Sequence, residues 1–184
     1  MNKKDQALLL KLARGTLETS FNDTDPDITG VGHLTQLRGC FVTLHKNKQL
    51  RGCIGFPRPI LPLYEQIIAS AKAAAFEDPR FPTLVRSELK DVVIEISVLT
   101  KPELIKTKSS EEYLKNIEIG RDGLIIQGIS SGLLLPQVAT EYGFSPKQFL
   151  ECLSEKAGMN KDAWKEPSNK IYKFKAEIFS EDTE

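Results

Sequence analysis

Hydrophobic and polar residues alternate most cleanly in "VVIEISVLT", where Val92, Ile94, Ile96 and Val98 fall on one side and Glu95 and Ser97 on the other. That period of two predicts a strand with one buried face. "IYKFKAEIF" near the C-terminus has the same period: Tyr172, Phe174, Ala176 and Ile178 alternate with Lys173, Lys175 and Glu177. It reads as one sheet strand with a wet face. Leu10, Ala13, Leu17 and Phe21 instead recur at helical spacing and predict an amphipathic N-terminal helix. Pro62 suits a first helical turn, and the alanine-rich run after it has high helix propensity. Asp78-Pro79 should end that helix, because a residue before proline is pushed out of helical angles. Ser145, Pro146, Gln148 and Gly158 carry cap, first-turn, capping-box and stop signals for a further helix.

"QLRGCFVTLHKNKQLRGCIGF" holds Leu-Arg-Gly-Cys twice, at Leu37–Cys40 and Leu50–Cys53. The copies share nothing beyond those four residues, so they are not an internal repeat. "CFVTL" and "QLRGCI" are strand-like and "HKNK" is a polar turn, which predicts a hairpin. With Phe41 opposite Cys53, residues Cys40, Val42, Leu44, Leu50, Gly52 and Ile54 share one face. Phe41, Thr43, Arg51 and Cys53 share the other, so Cys40 and Cys53 point apart and form no disulfide. Further strand-and-turn text in "IGRDGLIIQGISSGLLL" completes the pattern. Strands cluster into hairpins with helices between the clusters. The expected fold is therefore α+β, with a mainly antiparallel sheet flanked by helices.

Composition narrows the function classes. The chain has 184 residues, enough for one domain over 1–184, in one piece or as two packed subdomains. Lys plus Arg and Asp plus Glu are 25 each, so no net charge draws the protein to nucleic acid or anionic lipid. The longest apolar run near the N-terminus, Ala7–Leu10, is too short for an export signal, and nothing is long enough to span a membrane. A cytoplasmic protein is expected. Three cysteines without a Cys-x-x-Cys, and two histidines at no familiar spacing, suggest neither a disulfide framework nor a metal site. No cofactor is indicated.

"LRGCIG", followed by "PLYEQIIASAKAAAFEDPRFP", "EISVLT", "IGRDGLII" and "GLLLPQVA", resembles the AMMECR domain family. The likeness runs from about Phe41 through the Tyr172–Phe179 strand. It implies an α+β fold whose two lobes enclose a cleft. It also implies a Memo-type or radical-SAM protein as partner, and brings no established reaction.

Cys53, beside Arg51 and between Gly52 and Gly55, is the candidate catalytic residue. A nearby guanidinium lowers a thiol pKa, and glycines let a substrate approach the backbone. Equally, Cys53 reads as a small buried strand residue and the glycines as marks of tight packing. Glu77, Asp78 and Arg80 either tie off a helix end or orient a polar ligand. Glu95, in an otherwise apolar strand, calls for a cationic partner, with Arg51 preferred and Arg80 second. Asp122 reads as a turn residue. Two readings follow: an enzyme or enzyme subunit acting on a small polar substrate, or a noncatalytic module binding a peptide, nucleotide or protein.

Overall fold

The computed structural model describes residues 1–181. Helix α1 (Lys3–Ser20) opens on Asn2, whose side chain accepts from the Asp5 amide at 2.8 Å. Its buried face is Leu9, Leu12, Ala13, Thr16 and Leu17, so the helix is where the spacing predicts but rotated by about one position. Strands β1 (Cys40–Lys46) and β2 (Gln49–Phe56) form the hairpin. Helix α2 (Leu63–Phe76) starts after Pro62 and stops two residues short of Asp78-Pro79, as its sequence signals require. A 3-10 turn, Arg86–Asp91, leads into β3 (Val92–Leu99).

β4 (Glu103–Leu104), α3 (Ser110–Asn116), β5 (Gly123–Gln127), β6 (Ser131–Leu134), α4 (Pro136–Glu141) and α5 (Pro146–Lys156) follow. The Ser145–Gln148 capping box at α5 forms as its sequence predicts. β7 (Lys170–Phe174) and β8 (Ala176–Ser180) close the chain. These last two correct a sequence expectation: "IYKFKAEIF" is not one strand. It breaks at Lys175, and the buried residues are Ile171, Phe174 and Phe179 in place of a single Tyr172–Ile178 face. The physical reason is that β7 and β8 belong to different sheets, each with its own core to meet.

The chain forms two compact units. Met1–Leu99 with residues 177–181 make the first, around a four-stranded sheet in the order β2-β1-β3-β8. α1 and α2 are its helices. The face formed by Val42, Leu44, Ile94 and Ile96 is fully buried and shares one core with Leu9, Leu17 and Ile67. Gln66 of α2, itself buried, donates to the Arg38 and Phe56 carbonyls at 2.9 and 3.1 Å and so fixes both open ends of the hairpin. Thr100–Ala176 form the second unit, with the sheet order β4-β7-β5-β6 and a core centred on Phe149, Trp164 and Ile171. The ladders β1–β2, β1–β3, β4–β7, β5–β6 and β5–β7 are antiparallel, as expected.

Candidate functional site

The hairpin turn is tighter than its polar text suggests. Lys46 pairs with Gln49, leaving only Asn47 and Lys48 in the loop, with φ of 52° and 62°. Two successive positive φ values match the twist of the flanking strands, the reason this turn class dominates two-residue hairpins. A bulge at Arg51 then inserts one extra residue, so Thr43, not Phe41, lies opposite Cys53. The shift from the expected register is two residues. A two-residue slip preserves side-chain parity, so Cys40 and Cys53 still occupy opposite faces and all three cysteines are free. Leu50 alone among the expected apolar set changes sides: it pairs with His45 and is exposed.

Thr43 also pairs with Glu95 of β3. Cys53, Thr43 and Glu95 thus form a row across three adjacent strands, on the face turned away from Val42 and Leu44. Side chains so placed are about 5 Å apart at Cβ. The Thr43 hydroxyl donates to Cys53 Sγ at 3.1 Å. Along the same face, His45 stands two residues from Thr43 and Ser97 two from Glu95. His45 Nε2 and Ser97 Oγ are buried and have no hydrogen-bond partner among the described residues.

β2 is an edge strand, so the outward N–H and C=O of Cys53 need partners from outside the sheet. The loop after α2 supplies both. Asp78 Oδ2 accepts from the Cys53 amide at 2.9 Å, and Arg80 Nη2 donates to the Cys53 carbonyl at 3.1 Å. Arg80 also clamps Asp78 with two bonds, Nε to Oδ1 at 2.9 Å and Nη2 to Oδ2 at 2.7 Å. Asp78 is buried while Arg80 is 53% exposed at its side chain, so one end of the pair is anchored and the other meets solvent. The Arg80 guanidinium and the backbone donors outweigh burial and hold the Asp78 carboxyl at about 2. Cys53 goes the other way. Burial pushes its thiol pKa up, and the Thr43 bond and Arg80 charge only partly oppose that.

The remaining predicted residues divide. Arg51 meets Glu88 through Nε and Nη2, at 3.1 and 2.9 Å, whereas the sequence pairs it with Glu95. Glu88 also takes Lys46 Nζ at 3.0 Å, and the two cations hold its carboxyl at about 2. The bulge accounts for the difference, because it breaks the alternation that would keep Arg51 in step with Cys53. Gly52 and Gly55 are close-approach glycines, Gly52 against α2 and Gly55 against β1. A Cβ on Gly52 would lie 2.2 Å from the Ala74 carbonyl oxygen, and one on Gly55 2.2 Å from that of Cys40. Glu77 caps α2 through its amide and lines a separate surface depression with Lys72 and Phe76. The sequence places Thr43 on the Cys53 face but opposite a different residue, and nothing local marks Glu88. Among the described residues, no three His, Cys, Asp or Glu side chains are grouped to hold a metal ion.

An α+β protein of two antiparallel sheets, with an acid–arginine clamp on an edge-strand cysteine, is the class this geometry defines. The crystal structure of the uncharacterised protein PH0010 from Pyrococcus horikoshii has the same fold, with a TM-score of 0.92 at 42% identity, covering 99% of this chain and 94% of that one. A protein of Thermofilum pendens is 44% identical over 197 residues, spanning 100% of this chain and 92% of its own. Protein MJ0810 of Methanocaldococcus jannaschii is 52% identical over 147 residues, 78% of this chain and 73% of its own. The AMMECR1 family model matches residues 10–179, and the chain belongs to that family. The match reaches back into α1, well before Phe41.

Proposed function

We propose that the Cys53 face binds a small polar ligand without forming a covalent bond, and that the protein serves as the recognition partner of another enzyme. By the family resemblance that enzyme is a Memo-type or radical-SAM protein. The observation that carries this reading is the state of Cys53. A nucleophilic cysteine needs a thiolate, and here burial favours the thiol while Asp78 and Glu95 oppose a second negative charge beside them. The Cys53 backbone is held on both sides, so the residue suits a fixed floor. Arg80, half in solvent, supplies a charged donor at its rim, and Thr43 and Glu95 supply hydrogen-bonding groups beside it.

Alkylation by iodoacetamide, followed by mass spectrometry across pH, tests the thiol. Cys53 should react slowly at neutral pH, with its rate rising only above the ordinary thiol range of about 8.5. Cys53→Ser should keep association with a co-expressed Memo-type protein, measured by size exclusion, and Arg80→Ala should weaken it. Rapid alkylation near neutral pH, or loss of association in Cys53→Ser alone, would overturn the noncovalent reading in favour of thiolate catalysis.

A further inference from the structure

The motif Gly120-Arg121-Asp122-Gly123 belongs to the second unit, and the Cys53 site does not use it. Asp122 is more than a turn residue. It is 1% exposed, and its Oδ2 accepts from the Glu118 amide at 3.0 Å, closing the turn from the inside. Arg121 Nε donates to its Oδ1 at 3.1 Å, and Lys173 Nζ stands 3.8 Å from Oδ2. One buried carboxylate therefore gathers two cations from separate segments. An ion pair of this kind keeps its members in place because stranding the buried charge is costly.

Those cations open onto a cavity of about 300 Å³ lined by Thr100, Glu103, Arg121, Asp122, Lys173 and Lys175, with Phe174 at its base. Lys173 and Lys175, two positions apart, flank Phe174, whose ring lies under Gly123. The Lys175 amide donates to Thr100 Oγ1 at 2.9 Å, and its carbonyl accepts from the Thr100 amide at 2.8 Å, so the backbone carrying Lys175 is fixed at the rim. Among the lining residues three cations face two carboxylates; Asp122 holds Arg121 and Lys173, Glu118 outside the lining also pairs with Arg121, and Lys173 Nζ donates to the Asn116 carbonyl at 3.0 Å. We infer that this cavity binds a small molecule through a single oxyanion group, a carboxylate or a phosphate, received by Arg121, Lys173 and Lys175. A guanidinium and two ammonium groups are charged donors suited to the acceptor oxygens of an oxyanion, and Thr100 adds a hydroxyl. The inference is independent of the Cys53 reading.

Two-dimensional amide NMR of the full chain tests it, titrating inorganic phosphate and, separately, acetate at constant ionic strength. At least one anion should give saturable shifts at Thr100, Arg121–Gly123 and Lys173–Lys175. The anion that binds distinguishes phosphate from carboxylate as the recognised group. Lys175→Ala, a substitution at an exposed position, should weaken binding on the order of tenfold, the effect of losing one charge-assisted bond. Arg121→Ala should do the same, and Cys53→Ser should bind as the wild type does. Non-saturating shifts with both anions, or wild-type affinity in both Lys175→Ala and Arg121→Ala, would overturn the assignment. Either result would leave the alkylation test of Cys53 unaffected.

Discussion

Asp78 and Cys53 are joined side chain to backbone: the carboxylate at the end of α2 accepts the Cys53 amide at 2.9 Å. Through this bond the helix end holds an edge strand that no further strand covers. Replacing Asp78 by Ala removes that acceptor and leaves Arg80 without its counter-ion. The expected loss is about 3 kcal/mol in urea unfolding, the range for stranding charge-assisted bonds at a buried site. A loss below about 1 kcal/mol would mean that water replaces the carboxylate freely.

Acid should act through the same group and through Glu88. Both carboxyls sit at about 2 in the folded protein, held there chiefly by Arg80 and Arg51 respectively. In the unfolded chain they titrate near about 3.9 and 4.3. The unfolded state takes up their protons first, so this stabilisation is complete above those values and is lost as pH falls through about 4 toward 2. Urea midpoints measured over that window should drop steeply in the wild type and less steeply in Asp78→Asn and Glu88→Gln. An unchanged slope in both variants would contradict the assignment.

Arg51 and Glu88 should be energetically coupled. Both side chains are mostly buried, and the guanidinium reaches both carboxylate oxygens. A double-mutant cycle with Arg51→Ala and Glu88→Gln should give about 1–2 kcal/mol, above the usual value for exposed pairs. The equivalent cycle between positions 51 and 95 should give less. Equal coupling in the two cycles would restore the partner expected from sequence.

That contrast shows what was legible in the residues. α2, β3 and the Ser145 cap were readable because their signals are local: Pro62, an Asp78-Pro79 stop, a clean alternation and a capping box. The face on which Cys53 lies was readable from parity alone, and so was its remoteness from Cys40. Its neighbours were not. One bulge and a two-residue turn moved the register, bringing Thr43 opposite Cys53 and Arg51 to Glu88. Glu88 lies in a 3-10 turn whose text, "RSELKD", has no feature that separates it from any solvated turn. The break at Lys175 was equally hidden, because two strands in different sheets share one unbroken alternation.

Glycine 52 should tolerate no side chain. Its Cβ would meet a backbone oxygen of α2, which cannot rotate away as a flexible side chain would. Gly52→Ala should cost about 1–3 kcal/mol or more, read as a lowered thermal midpoint. A neutral effect would require β2 and α2 to separate easily.

Thiol accessibility gives a fifth, inexpensive measurement. The unfolded protein should titrate three free thiols. In the native state Cys40 should react last, since burial raises its pKa to about 11. Cys152, which lies on α5 and is only partly covered, should react before it. A Cys40–Cys53 peptide under non-reducing conditions would contradict the parity of the hairpin.

The break at Lys175 also bears on how such a chain can vary. β3 and β8 are neighbours in one sheet, and the segment from Thr100 to Ala176 leaves from one and returns to the other. Thr100 and Lys175 tie its two ends together, the Thr100 amide donating to the Lys175 carbonyl and the Lys175 amide to the Thr100 hydroxyl. A segment entered and left at adjacent points behaves as a cassette. Because loop-closure entropy grows only with the logarithm of length, lengthening the cassette costs the host sheet little, about 0.6 kcal/mol per doubling. Insertions and deletions among relatives should therefore accumulate inside that segment, while the spacing from Cys40 to Leu99 stays constant.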